Sequence, residues 1–253
     1  MIDKCGCHGC GACVWAQLLL DYIGHLRHAC QVTMTRTGTR ATEEQRAAFR
    51  HLSSLGDSLA PWVRSTGPID AYEMHVPVDV RSALEWFAFA IVSRQLSRAT
   101  AVAIYNRLVA QLGGSVTAAR VIATDERTMR GIGLSYPKAR AIRGLAERAA
   151  EGLLEPGKLE TVSDAELRRE LVAVPGIGAS SAHRFMMLYL RRPDIFPAGD
   201  LTVRAAVTAL DRLDDRITPT AAEQRAELWR PYRSYATSYL WGYMWETHPS
   251  RHR

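Results

Sequence analysis

Val174-Pro175-Gly176-Ile177-Gly178 is the stretch whose reading decides the fold. Two glycines around one apolar residue let the backbone turn sharply and bring its amides close to a partner. Ile177 can plug into a core beneath the turn. The amides of Gly176 and Gly178 then point outward beside a helix N-terminus, which is the geometry that holds a phosphate. The same five residues could equally make a plain tight turn between packed helices, and Gly131-Ile132-Gly133 is a second such triplet. What lies on either side has to separate the two readings.

On the N-terminal side, Ser163 and Glu166 have capping-box spacing ahead of Leu167 and Leu171. On the C-terminal side, Ala182, Phe185, Met186 and Tyr189 stripe one helical face. Similar stripes recur along the chain. Leu84, Phe87, Ala88 and Ile91 make one. Ala101, Ile104, Tyr105, Leu108 and Leu112 make another, with Ser97 as N-cap and Gly113-Gly114 as the stop. Pro137 opens a helix bearing Ile142, Leu145, Ala146 and Ala149, and Gly152 closes it. Val203, Ala206, Val207 and Leu210 stripe the next, and two more helices are expected from Ala221 to Trp245, split at Pro231. No run alternates cleanly and no Asn-Gly hairpin occurs. The predicted class is all-α.

The chain has 253 residues, is 47% hydrophobic and carries a net charge of +6, which suits a polyanionic partner without specifying one. Nothing in it is long and apolar enough to span a membrane, so a cytoplasmic location is expected, on the nucleoid if the source is bacterial. The domain reading is an extension over residues 1–40, one helical domain over 41–248 and a basic tail over 249–253. All five cysteines fall in the extension. Cys7, Cys10 and Cys13 have spacing that can hold zinc or an iron–sulfur cluster, and equally suit a Gly- and Cys-rich tail, since no second Cys pair follows.

Downstream of the hairpin comes Phe196-Pro197-Ala198-Gly199-Asp200-Leu201. With it the chain resembles the helix-hairpin-helix DNA glycosylase superfamily, and within it the branch of 3-methyladenine DNA glycosylase II. Three further segments carry the resemblance: Ile91-Val92-Ser93-Arg94-Gln95-Leu96-Ser97, with Arg94 where the family has Gln; Gly133-Leu134-Ser135 followed by Lys138-Ala139; and Trp229-Arg230-Pro231-Tyr232-Arg233-Ser234-Tyr235-Ala236. The resemblance implies two helical subdomains flanking an active-site cleft, a partner that is double-stranded DNA containing a damaged base, a monomer, and no cofactor. The family's β-rich N-terminal domain is expected to be absent, because the residues before the core do not read as strands.

The resemblance also assigns roles. Asp200 stands where the family has its catalytic carboxylate. Its position is also that of an ordinary helix N-cap. The two roles are compatible, because a carboxylate held at a helix start is rigid and the dipole favours its anion. Loss of a base leaves oxocarbenium character on the sugar, which such an anion stabilises. Pro175, Gly176, Ile177 and Gly178 would bind phosphate. Gln95 and Leu96 would form the wedge that fills the gap left by an extruded base. Trp241, Phe185 and Ser180 would line the base pocket. Ser180 occupies the site where bifunctional relatives place a lysine, so a monofunctional enzyme is expected, acting on alkylated purines. No cysteine follows Cys30, so the iron–sulfur cluster of the endonuclease III branch is not expected. Two alternatives stay open at this point: a glycosylase for a deaminated or oxidised base, and a non-catalytic DNA-binding protein built on the same hairpin.

Overall fold

The computed structural model describes residues 41–72 and 77–247. Residues 1–40, with Cys7, Cys10 and Cys13, and the tail over 249–253 lie outside the described residues. Among the described residues the structure is helical with no strand, in agreement with the predicted class.

In chain order the helices are α1 (Glu43–Ser54), α2 (Ala60–Thr66), α3 (Ala83–Ser93), α4 (Arg98–Gln111), α5 (Ala118–Ala123), α6 (Glu126–Gly131), α7 (Tyr136–Ala150), α8 (Pro156–Thr161), α9 (Asp164–Val172), α10 (Ala179–Arg184), α11 (Leu201–Leu210), α12 (Pro219–Ala226) and α13 (Arg233–Thr247). Caps set the boundaries much as expected. Ser97 accepts from the Thr100 amide, and Gly113 and Gly114 end α4 with φ of 72° and 96°. Thr42 and Gln45 form a complete capping box on α1. The box expected at Ser163 is half made: its hydroxyl accepts from the Glu166 amide at 3.3 Å, and the return bond is not among the hydrogen bonds of α9. After Arg184 the helix loosens into a π-turn, Phe185–Tyr189, where a regular helix was expected.

The side chains bury into two clusters. The first gathers α3 to α10 around residues such as Phe87, Ile91, Leu108, Ile142, Leu145, Leu171 and Phe185. The second joins α1 and α2 to α11, α12 and α13, through Leu52, Leu59, Val63, Val207, Trp229, Tyr235 and Tyr239. From residue 41 the described chain therefore starts in the second lobe, crosses to the first, and returns. The return is fastened by polar tips on buried rings. Trp62 Nε1 donates to the Tyr239 carbonyl at 3.0 Å, Tyr239 OH to the Gly67 carbonyl at 2.7 Å, and Trp229 Nε1 to Asp57 Oδ2 at 2.7 Å. Rings of this size dominate burial energy, and each polar end needs a partner once buried. The hairpin belongs to the first lobe, Asp200 to the second.

Candidate active site

The hairpin closes with the Ile177 amide donating to the Val174 carbonyl at 3.0 Å. Val174 and Ile177 are buried, while Pro175, Gly176 and Gly178 are exposed. Its two glycines do different jobs. Gly176 sits at φ +87°, and a Cβ there would lie 2.6 Å from the Cβ of Ala141 on α7, so both conformation and contact demand glycine. Gly178 has φ −91°, which any residue adopts, and a Cβ there would meet nothing within 4 Å. Sharp turning therefore needs only Gly176. At Gly178 the missing side chain leaves clear space in front of α10, whose first amides receive no side-chain cap.

The Ser93–Leu96 turn lies against this hairpin. Gln95 is exposed and takes φ +57°, a conformation uncommon for a residue with a side chain, which points to a tip held out for use. Leu96 is half-buried and packs on the first core. Lys138 Nζ donates to the Val92 and Arg94 carbonyls at 2.8 and 2.6 Å. Arg94 in turn donates to the Gly176 carbonyl at 2.6 Å and to Ser181 Oγ at 3.0 Å. Three of the segments quoted from the sequence thus meet in one bonded cluster. The Lys138 ammonium titrates below its ordinary range because burial penalises its charge and Arg94 repels it. Sequence reasoning gave neither Lys138 nor Arg94 this bracing task.

Asp200 caps α11. Its Oδ1 accepts from the Thr202 and Val203 amides at 2.8 and 3.0 Å, and its own amide donates to the Pro197 carbonyl at 2.8 Å. Among the described residues no hydrogen bond falls on Oδ2. The carboxylate is half-buried, and the residues leading into it, Phe196 to Ala198, are buried. One oxygen anchors the group and the other stays available.

The loop before Asp200 is braced by the fourth quoted segment. Arg233 is buried and donates to Asp194 Oδ1 at 2.8 Å and to the Asp194 carbonyl at 2.7 Å. Ser234 is fully buried; its hydroxyl donates to the Arg192 carbonyl at 2.6 Å and accepts from the Ile195 amide at 3.0 Å. Arg230, joined to Pro231 by a cis peptide, adds a further ion pair to Asp194. This segment works on the loop, at long sequence range. The signal for it, an isolated Asp194 beside Arg191 and Arg192, was too common to single out.

The expected base pocket is partly corrected. Phe185 has no exposed surface: it stacks on Tyr189 with centroids 5.1 Å apart and packs on Phe87 at 4.4 Å, so its ring belongs to the core and has no face to offer a base. The stripe of Ala182, Phe185, Met186 and Tyr189 lies against the first cluster, so its face is the packed one. Ser180 is exposed on the first turn of α10. Trp241 is half-buried and packs on both hydrophobic clusters, at the seam of the two lobes. The Arg184 guanidinium carbon lies 5.9 Å from the centre of its ring. A separate cavity of about 520 Å³, lined by residues such as Arg81, Leu154, Tyr189 and Arg192, contains none of these groups.

With this geometry in hand, comparison with known proteins is decisive on family. The sequence model described as HhH-GPD superfamily base excision DNA repair protein matches residues 88–231, which span the Ser93–Leu96 turn, the hairpin and Asp200. The chain belongs to the HhH-GPD superfamily. Similar HhH-GPD proteins include DNA-3-methyladenine glycosylase 1 of Schizosaccharomyces pombe, 29% identical over 194 residues that cover 76% of this chain and 84% of that one. DNA-3-methyladenine glycosylase 2 of Escherichia coli is 28% identical over 75% of this chain and 63% of that one. Among solved structures, the S. pombe 3-methyladenine DNA glycosylase Mag1 in complex with abasic DNA superposes with a TM-score of 0.64 at 28% identity, covering 78% of this chain and 96% of that one.

Proposed function

We propose that this protein is a monofunctional DNA glycosylase that removes alkylated purines from duplex DNA as the first step of base excision repair. The observation that carries the reading is Asp200: a carboxylate fixed through one oxygen, open at the other, on a loop braced from α13. A protein that only bound DNA would gain nothing from a carboxylate held with one oxygen open, since its charge repels a polyanion. The alkylated-base assignment is supported by the names of the similar proteins and by Trp241 at the seam.

The residues act in sequence. The amides around Gly178 take phosphate and position the duplex without reading its sequence. Gln95 enters the stack as the target nucleotide leaves it, at a cost of a few kcal/mol that is smallest for a damaged base. The base stacks on Trp241. The C1′–N bond then breaks, its electron pair leaves with the base, and positive charge grows on the sugar. Asp200 stabilises that charge, orients the water that adds to C1′ and takes the proton that water gives up. Ser180 offers a hydroxyl where an imine would need an amine, and the Lys138 ammonium is committed to two carbonyls. Water is therefore the nucleophile and the product is an intact abasic strand.

The test is release of base from a panel of duplexes that each carry one lesion, run with borohydride in parallel. The expected result is release from alkylated purines with no trapped protein–DNA adduct. Release only from uracil or 8-oxoguanine duplexes contradicts the substrate, and a trapped adduct contradicts the monofunctional assignment.

A further inference from the structure

Trp241 is the one residue packed on both hydrophobic clusters of the described structure, so it marks the seam where a base extruded between the lobes would lodge. Its ring already has a cation beside it. Arg184, the last residue of α10, comes from the hairpin lobe and places its guanidinium carbon 5.9 Å from the ring centre. An arginine at that distance from a tryptophan is attracted by the negative face of the ring. A base that arrived bearing a positive charge would seek the same face.

We propose that Arg184 is a specificity-determining residue, and that it tilts the Trp241 pocket toward electrically neutral alkylated bases and against cationic ones. The proposal rests on the glycosylase reading above and refines its substrate class. Alkylated purines fall into two charge classes. Methylation at a ring nitrogen, as in 7-methylguanine or 3-methyladenine, leaves the nucleobase cationic while it is bonded to the sugar. An added ring, as in 1,N6-ethenoadenine, leaves it neutral. Both present a flat π-face for stacking. Only the cationic class must displace the guanidinium from the ring or sit beside it as a like charge. Half-buried surroundings screen that repulsion less than water does. Arginine does not shed its proton to relieve it. A neutral base can slide over the ring with the guanidinium at its edge and keep both contacts.

The experiment compares single-turnover release of 1,N6-ethenoadenine and of 7-methylguanine from otherwise identical duplexes. The readout is the ratio of the two rates in the wild type, Arg184→Met and Arg184→Lys. Cationic bases leave more easily by themselves, so the change in ratio, and not its absolute size, carries the answer. Arg184→Met should lower the ethenoadenine-to-methylguanine ratio by about tenfold, the scale of a partly screened like-charge contact at this distance. Arg184→Lys should hold the ratio near that of the wild type. A second measurement needs no variant. Free 1,N6-ethenoadenine should inhibit the wild type at lower concentration than the 3,9-dimethyladeninium cation. An unchanged ratio in Arg184→Met, equal losses on both lesions, or stronger inhibition by the cation each overturns the proposal. If the wild type releases neither base, the glycosylase reading falls as well, and that outcome is distinct from release with an unmoved ratio.

Discussion

The two lobes hold their functional parts by opposite electrostatic means. In the hairpin lobe, Lys138 and Arg94 end on backbone carbonyls and a serine hydroxyl, not on carboxylates. In the Asp200 lobe, Arg233 is matched by Asp194, Glu223 and Glu227, and Arg225 by Asp57 and Asp211. A carbonyl satisfies a cation's hydrogen bonds and leaves its charge in place, whereas a carboxylate cancels it. Lys138 and Arg94 beside the hairpin therefore keep their charge, while the charges of Arg233 and Arg225 are cancelled by the carboxylates they meet.

The contrast can be broken most severely at Gly176. Gly176→Val adds a Cβ 2.6 Å from that of Ala141 and forces a β-branched residue to φ +87°. Strain and overpacking together predict a loss of about 4 kcal/mol by denaturant unfolding. Gly178→Val should unfold like the wild type, because its φ is ordinary and its space is open, yet weaken binding to damaged and undamaged duplex alike. Equal stability losses at the two glycines would erase the distinction between folding and binding roles.

The second lobe breaks at its ion pairs. Arg233→Ala leaves Asp194 half-deserted and removes the strut on its carbonyl, and should cost about 3 kcal/mol of stability. It should also slow base release more than it weakens DNA binding, because the loop it braces carries Asp200. A variant with normal stability and turnover would show that the loop stands without it.

His183, on α10, sharpens the comparison by pH. Burial first, then the nearby charges of Arg168 and Arg233, hold its imidazole down at about 4, against an ordinary 6.5. The unfolded chain therefore binds this proton at a higher pH than the folded one. Stability is fully present above about 6.5 and is lost as pH falls toward 4. The loss at pH 5 relative to pH 7.5 should be about 2 kcal/mol. His183→Gln should flatten that window of the stability curve, and an unchanged slope in the variant would contradict the assignment. The smallest effect is expected at Arg94. Arg94→Gln should lower affinity several-fold for damaged and undamaged duplex alike and reduce its salt dependence, with little change in stability. A loss confined to one lesion would contradict a purely positional role.

Much of this was legible in the sequence because it is local. The periodic stripes and the Ser, Thr, Pro and Gly punctuation report which residues face inward and where helices stop, so the helical class and most boundaries could be read. Asp200 was legible for the same reason, being a cap and a motif residue at once. What was not legible depends on partners far away in the chain. A stripe shows that Val203 and Val207 are buried, but not that they share a cluster with the N-terminal helices α1 and α2 instead of with α3. The Arg233–Asp194 strut spans 39 positions, and neither residue carries a local pattern that names the other. Phe185 misled because the resemblance assigned it to a base pocket, while its own stripe with Ala182, Met186 and Tyr189 already put it on the apolar face, where the structure buries it.

The central claim is that Asp200 performs the chemistry while the hairpin lobe binds the DNA. Asp200→Asn tests it most directly, since the amide keeps the oxygen that accepts from Thr202 and Val203 and loses only the negative charge. Single-turnover base release and duplex affinity should be measured on the same preparation, with an alkylated-purine duplex. The account predicts that release falls by several orders of magnitude while affinity is unchanged or tightened, because a negative charge near DNA has been removed. Release at the wild-type rate, or loss of binding in step with loss of turnover, would contradict it.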